Sequence, residues 1–428
     1  MFNDTYLKLG IDRAAYDTIT ELEASLGSEF AEIERIESAN SAKVLSAFLE
    51  NRIAARHFAP STGYGYDDDG RDGLDRVFAS AFQTEAAVAS PHLVSGTHAI
   101  FCVLSGLLLQ GDTLLSISGR PYDTLVDAIG INFAIPGSLR EQNINYKQID
   151  LFENGAFDYG AIMETVERLQ PKLVYVQRSR GYAWREAILP ERMAEVFSAI
   201  KRISPLTFIV VDNCYGEFVR EFEPTHYGAD IIVGSLIKNP GGGLAPTGGY
   251  FAGSREAVER VSARLTVPGI GREAGAYFGS YLPFYQGLFL APHTVAQSLK
   301  TSVLFSRLFE QLGLETMPSS SALRSDIVQS LRFDSKVKLI EFCRCIQSVS
   351  PIDGFVVPEP YAMPGYNSDV IMAAGAFVQG SSIELSADAP IVEPYTAYLQ
   401  GALTYSHGRL AAMKVLTMLL DKGAGKLC

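Results

Sequence analysis

Short apolar runs, each of strand length and each followed by a helical pattern, recur through the middle of the chain: Thr113 to Ser118, Lys172 to Gln177, Leu206 to Val211 and Ile231 to Val233. Near-continuous apolar character suits strands covered on both faces. Their alternation with helical stretches such as Tyr159 to Leu169 and Glu191 to Arg202 implies a mostly parallel sheet, hence an α/β fold. In such sheets ligands bind beyond the carboxyl ends of the strands. The residues that follow each run are therefore the candidates for chemistry.

The run Ile231 to Val233 delivers Ser235 and Lys238 into Asn-Pro-Gly-Gly-Gly, which halts regular structure. A lysine at a strand exit either snorkels to water or reacts through its amine. The preceding run ends in Asp212, so the next-door strand presents a carboxylate. An aspartate and a lysine at adjacent strand ends suit pyridoxal 5'-phosphate: the acid keeps the pyridine nitrogen protonated, and the amine forms a Schiff base with the aldehyde.

Other strand exits carry polar clusters. A short strand is expected near His92 to Val94, feeding Ser95-Gly96-Thr97-His98 into the apolar helix Ala99 to Leu109. A helix N-terminus after a small-residue turn offers free amides and a favourable dipole to an anion, although Ser-Gly-Thr is also an ordinary cap. Tyr122 follows the run ending at Ser118 and either lies on a cofactor face or packs under the next helix. Arg178, Arg180 and Arg185 follow Gln177 and suggest a carboxylate or phosphate clamp. The segment Ser61 to Gly73 is too rich in glycine and aspartate for regular structure, yet Tyr64, Tyr66 and Arg71 mark it as a functional loop.

Composition bounds the function. The chain has 428 residues, 47% hydrophobic and 20% charged, with a net charge of −12 and a pI near 5.1. Acidity and the lack of a basic block argue against nucleic acid or an anionic membrane as partner. No secretory leader or membrane-length apolar stretch is visible, so a cytoplasmic location is expected. The five cysteines, Cys102, Cys214, Cys343, Cys345 and Cys428, form no metal motif and read as buried thiols. His98, His226 and His293 are scattered and read as structural.

Three regions are expected: a helical arm over 1–60, whose second helix spans Ser41 to Arg56, a cofactor-binding domain over 61–290, and a small domain over 291–428. Beyond Lys238 the expected elements are a strand at Thr247 to Phe251, a helix at Arg255 to Leu265 and a bridging helix from Ala291 to about Leu312. The small domain then takes a helix at Lys336 to Val349, strands near Gly354 to Val357 and Ser382 to Leu385, and a last helix from about Pro394 to Leu420.

Taken together, Gly63-Tyr-Gly-Tyr-Asp-Asp-Asp-Gly-Arg-Asp, Ser95-Gly-Thr-His-Ala-Ile, Gln177-Arg-Ser-Arg-Gly-Tyr and Ile237-Lys-Asn-Pro-Gly-Gly-Gly resemble fold-type I pyridoxal phosphate enzymes. Within them, the pattern is similar to the cystathionine lyases and methionine γ-lyase, and most closely to the methionine γ-lyase-like or aluminium resistance branch. The resemblance implies a large domain with a mostly parallel sheet and a smaller C-terminal α+β domain. It implies that Lys238 carries the cofactor, Asp212 pairs with its ring nitrogen, Tyr122 stacks on it, and Gly96, Thr97 and Ser235 bind its phosphate. It also implies that Tyr64, Tyr66 and Arg71 reach the cofactor of a neighbouring subunit in a homotetramer.

One departure stands out. Where the cystathionine lyases carry Arg-Leu-Ser for the substrate carboxylate, this chain has Glu384-Leu385-Ser386, which leaves Arg178 and Arg180 as the expected clamp. The implied reaction is thiol elimination from a sulfur amino acid, with Lys238 as base, its pKa lowered by desolvation and by the cofactor's charge, and Tyr122 protonating the sulfur. Whether the thiol leaves from Cβ or Cγ is open, and so are decarboxylation, aldol cleavage and amino transfer on the same cofactor. A nucleotide-binding reading of the glycine run fits poorly, because a P-loop places its lysine after the glycines. A relative that lost catalysis rests on Glu384 alone.

Overall fold

The computed structural model describes residues 2–363 and 368–421. A seven-stranded sheet is built from β1 (Ala86–Ser90), β2 (Thr113–Ser116), β3 (Asn145–Gln148), β4 (Leu173–Gln177), β5 (Phe208–Asp212), β6 (Ile231–Ser235) and β7 (Gly249–Gly253). Their order is β1-β7-β6-β5-β4-β2-β3, parallel except that β7 runs antiparallel to both neighbours. Every residue of β4, β5 and β6 is buried. Successive residues contribute to opposite faces: Val174, Val176, Ile209, Val211 and Ile232 enter one apolar cluster, and Leu173, Tyr175, Phe208, Val210 and Ile231 the other. Each fully buried aliphatic side chain contributes about 1.5–3 kcal/mol, which explains the lack of polar alternation in these runs.

A second sheet holds β8 (Thr316–Met317), β9 (Gln329–Arg332), β10 (Val370–Ala373), β11 (Ser386–Pro390) and β12 (Thr396–Gln400), antiparallel in the order β10-β11-β12-β9-β8. The 30-residue helix Leu282–Gln311 joins the two sheets, and the amino-terminal helix Gly27–Glu50 packs along it. No helix among the described residues is long and apolar enough to cross a membrane.

Several expected boundaries move. The arm's main helix is Gly27–Glu50, not Ser41 to Arg56, because its buried stripe of Ile33, Ile36, Asn40, Val44 and Ala47 contains a polar residue that disguises the period. Asn40 belongs there because its amide donates to the carbonyls of Phe218 and Arg220. The strand expected at His92 to Val94 is β1, ending at Ser90. The helix after the tyrosine loop already starts at Asp69, capped by Asp68, and so contains Arg71. The joining helix begins at Leu282 with a proline in its first turn, so Pro292 lies inside it rather than marking its start.

In the small sheet, no strand forms at Gly354 to Val357, and the strand placed at Ser382 to Leu385 begins at Ser386. The last helix is Tyr405–Asp421, preceded by β12, whose five residues are all buried. Cys102, Cys214, Cys343 and Cys345 are buried, while Cys428 lies outside the described residues.

Candidate active site

A cavity of about 310 Å³ lies where the exits of β4, β5 and β6 meet the small sheet. Strand β5 ends at Asp212, whose two carboxylate oxygens are held separately: Oδ1 accepts from the Cys214 amide at 3.0 Å and Oδ2 from the Tyr175 hydroxyl at 3.2 Å. Burial raises the Asp212 pKa above the usual carboxylate value, opposed by Lys238 and by these hydrogen bonds. The same burial keeps Tyr175 protonated, so it remains a donor.

Strand β6 ends at Ser235, and the half-buried Lys238 follows in a short turn. Its Nζ sits 3.8 Å from the centre of the Tyr215 ring, a cation–π contact that holds the amine inside the cavity. Tyr215 reaches that place through a left-handed backbone, with φ of 71°. Sequence reasoning expects burial to lower the lysine's pKa, and burial does act that way. Here Cys214, Tyr215, Asp212 and Glu217 outweigh it and hold the ammonium above the ordinary amine range.

The helix Gly96–Leu107 starts at the cavity, with Ser95 capping it by accepting from the His98 amide at 3.1 Å. A Cβ on Gly96 would lie 3.0 Å from the Ser235 Cβ, so glycine keeps the helix N-terminus open beside that serine. Thr97 shares a 2.9 Å hydroxyl contact with Thr124, which also lines the cavity. Tyr122 lines it as well, its amide donating to Gln177 Oε1 at 2.7 Å. Gly96, Thr97, Tyr122, Asp212, Ser235 and Lys238 are thus brought to one chamber.

Arg178 and Arg180, the expected carboxylate clamp, are not among the residues that line it. Arg178 is fully buried, donating to Asn213 at 2.6 Å, Ser325 at 3.1 Å and Glu223 at 3.3 Å. Arg180 donates to the Met317 carbonyl at 2.7 Å and pairs with Asp326 at 3.4 Å. Arg180 ties the exit of β4 to β8, and Arg178 ties it to the segments that follow β5 and precede β9. Tyr64, Tyr66 and Arg71 also stand away from the cavity of their own chain. The two tyrosines stack on each other, 5.4 Å between ring centres, and are 74% and 59% exposed. Arg71 is buried, donating to the Gly65 carbonyl at 2.7 Å and to Asp72.

The small sheet supplies residues that sequence reasoning missed. Met372, Asp388 and Tyr398 are paired across β10, β11 and β12, and all three line the cavity. Asp388 accepts from Gln400 Nε2 at 3.2 Å, and burial pushes its pKa up to about 6 against hydrogen bonds from Tyr182 and Gln400. The hydroxyls of Ser381 and Ser386 are buried on this wall without a partner. Alternation in β11 was the signal available for Asp388, hidden by a strand placed four residues early. Glu384 accepts from the amides of Phe377 and Val378, both at 2.9 Å, and shapes the adjoining loop.

Comparison with known proteins agrees with this geometry. A carbon-sulfur lyase involved in aluminium resistance from Clostridium novyi NT superposes with a TM-score of 0.94 at 48% identity, over 98% of this chain and all of that one. Protein YnbB of Bacillus subtilis (strain 168), itself uncharacterized, is 48% identical over 406 residues, 95% of this chain and 96% of its own. The pyridoxal-5'-phosphate dependent protein YhfS of Escherichia coli, at 17% identity and TM-score 0.61 over 92% of this chain and 97% of its own, shares the fold. That fold is the fold-type I architecture of pyridoxal phosphate enzymes. The sequence model of methionine γ-lyase matches residues 15–420, and with it the chain belongs to the methionine γ-lyase family.

Proposed function

We propose that the chain is a pyridoxal phosphate-dependent carbon–sulfur lyase that eliminates a thiol from a sulfur amino acid, releasing an oxo-acid and ammonia. The observation that carries this reading is the convergence of Lys238 and Asp212, from the exits of neighbouring strands, on one cavity that a helix N-terminus also enters. The donor set fits the cofactor. Amides of Gly96 and Thr97 with the Ser235 hydroxyl suit a phosphate, the opening left by Gly96 gives it room, and Asp212 is oriented through both oxygens toward a ring nitrogen. Bound there, the group supplies an electron sink for charge developing at the substrate Cα.

The chain's own residues handle protons and orientation. Lys238 Nζ would hold the cofactor aldehyde, and its amine is the base placed to take the substrate Cα proton. Asp212 would keep the ring nitrogen protonated, and Tyr122 would deliver a proton to the departing sulfur. Ile237, Val328 and Met372 give the chamber an apolar lining that limits water. We place Tyr64, Tyr66 and Arg71 at the cofactor phosphate of a neighbouring subunit in a cytoplasmic homotetramer, a reading supported by their absence from the lining of their own cavity and the exposure of both rings.

Supplied with pyridoxal phosphate, the purified protein should absorb at the edge of the visible range, and borohydride should leave a pyridoxyl mass on Lys238. Lys238→Ala should lose both and slow thiol release by about 10²–10⁴-fold. A colourless wild-type protein with no trapped mass overturns the reading, and a pyridoxamine product in place of oxo-acid and ammonia points to amino transfer.

A further inference from the structure

We infer that the wall supplied by the small sheet selects substrates with an ammonium group at the end distal to the reacting amino acid, and that Asp388 is the residue that reads it. The inference deepens the lyase reading above and rests on it. Among the described residues that line the cavity, the charged ones are Lys238, Asp212 and Asp388, with no arginine and no histidine. Lys238 and Asp212 are committed to the cofactor in that reading. Asp388 is then the one carboxylate left to meet a substrate.

Its position follows from strand geometry. Ala387 and Ala389 are fully buried in the core behind β11, so Asp388, pointing to the opposite face, is turned to the cavity. Met372 and Tyr398 flank it on the adjacent strands and give it a partly apolar surround. Its hydrogen-bond donors, Gln400 and Tyr182, are neutral, and no ion pair to Asp388 forms among the described residues. A carboxylate drawn out of water is ordinarily paired with a cation, and this wall has none to give. A substrate ammonium completes the pair, whereas a distal carboxylate would meet like charge.

Glu384 adds no charge to this wall. Glu384 turns away to bind the amides of Phe377 and Val378, and the sheet presents an acid and neutral hydroxyls instead of a base. The surface is built to accept a hydrogen-bond donor or a cation.

The test compares isosteric pairs on the holoenzyme. S-aminoethylcysteine and S-propylcysteine serve as substrates, and lysine and 2-aminoheptanoate, which lack a sulfur leaving group, serve as calorimetric probes of binding alone. The wild type should bind lysine at least about tenfold more tightly than 2-aminoheptanoate, with a matching advantage in kcat/KM for the aminoethyl substrate. In Asp388→Asn both ratios should fall to near one, and in Asp388→Glu they should persist. Equal affinity for the two probes in the wild type, or an unchanged ratio in Asp388→Asn, overturns the inference. Preference for lysine without thiol release from either substrate or from their homocysteine counterparts, which carry the sulfur on Cγ, would sink the lyase reading and leave the ammonium site standing.

Discussion

Glu217 lies fully buried next to the lysine turn, where its Oε1 accepts from the Tyr250 hydroxyl at 2.8 Å and its Oε2 has no hydrogen-bond partner. Burial pushes its pKa from 4.5 up to about 8. The folded chain therefore holds a proton that the unfolded chain releases above 4.5, so this residue's contribution is complete below that pH and is lost as pH rises through 8. Denaturant titrations across that window should show stability falling with pH in the wild type and a flatter profile in Glu217→Gln; parallel profiles would refute the assignment. Residues whose chemistry is tied to a strand exit, such as Asp212, Ser235 and Lys238, were legible in the sequence because an apolar run announces where it ends. Tyr215 and Asp388 were not. The first depends on a left-handed backbone, and the second on the face of a strand whose start was misplaced.

At the scale of elements, the glycines after Lys238 serve packing against the joining helix as much as they end the strand. A Cβ on Gly287 would lie 2.2 Å from the Gly241 carbonyl oxygen, and one on Gly242 would lie 2.3 Å from that of Gly287. Turn and helix thus touch backbone to backbone, and the contact fixes where the lysine emerges. Gly287→Ala should cost about 1–3 kcal/mol in urea unfolding and weaken cofactor retention along with it. An unchanged midpoint and unchanged retention would show that the helix yields freely. The large sheet was readable because its strands are apolar throughout and alternate with helices. The small sheet was not, since its strands are antiparallel and short and one of its pairings, β12 with β9, joins segments far apart in sequence, so period and composition gave no register.

On the scale of the whole molecule, the arginines after β4 illustrate the same limit. Their clustering was visible, but charge alone does not tell a ligand clamp from an internal brace. Partners on Glu223, Ser325 and Asp326 decide for the brace. Elsewhere the surface exposes Tyr64, Tyr66, Val94 and Phe278, and the Gly275 amide bond to the Tyr64 carbonyl and the His92 contact with Gly275 tie their segments together. Exposed apolar groups of this kind suit a contact between copies of the chain. Sedimentation of the wild type should give a tetramer, and Tyr66→Ala should lower cofactor affinity without altering Lys238's own cavity. A monomer that retains full cofactor affinity would exclude shared sites.

The chamber takes its floor from one sheet and its facing wall from another. Asp212 ends a strand locked from both sides by aliphatic packing and Lys238 follows the next one in a turn, whereas Met372, Asp388 and Tyr398 sit on short antiparallel ribbons. Under the proposed function, reaction and selectivity fall on separate sheets, so substitutions in the ribbon should change which molecules are admitted and leave the lysine turn in place.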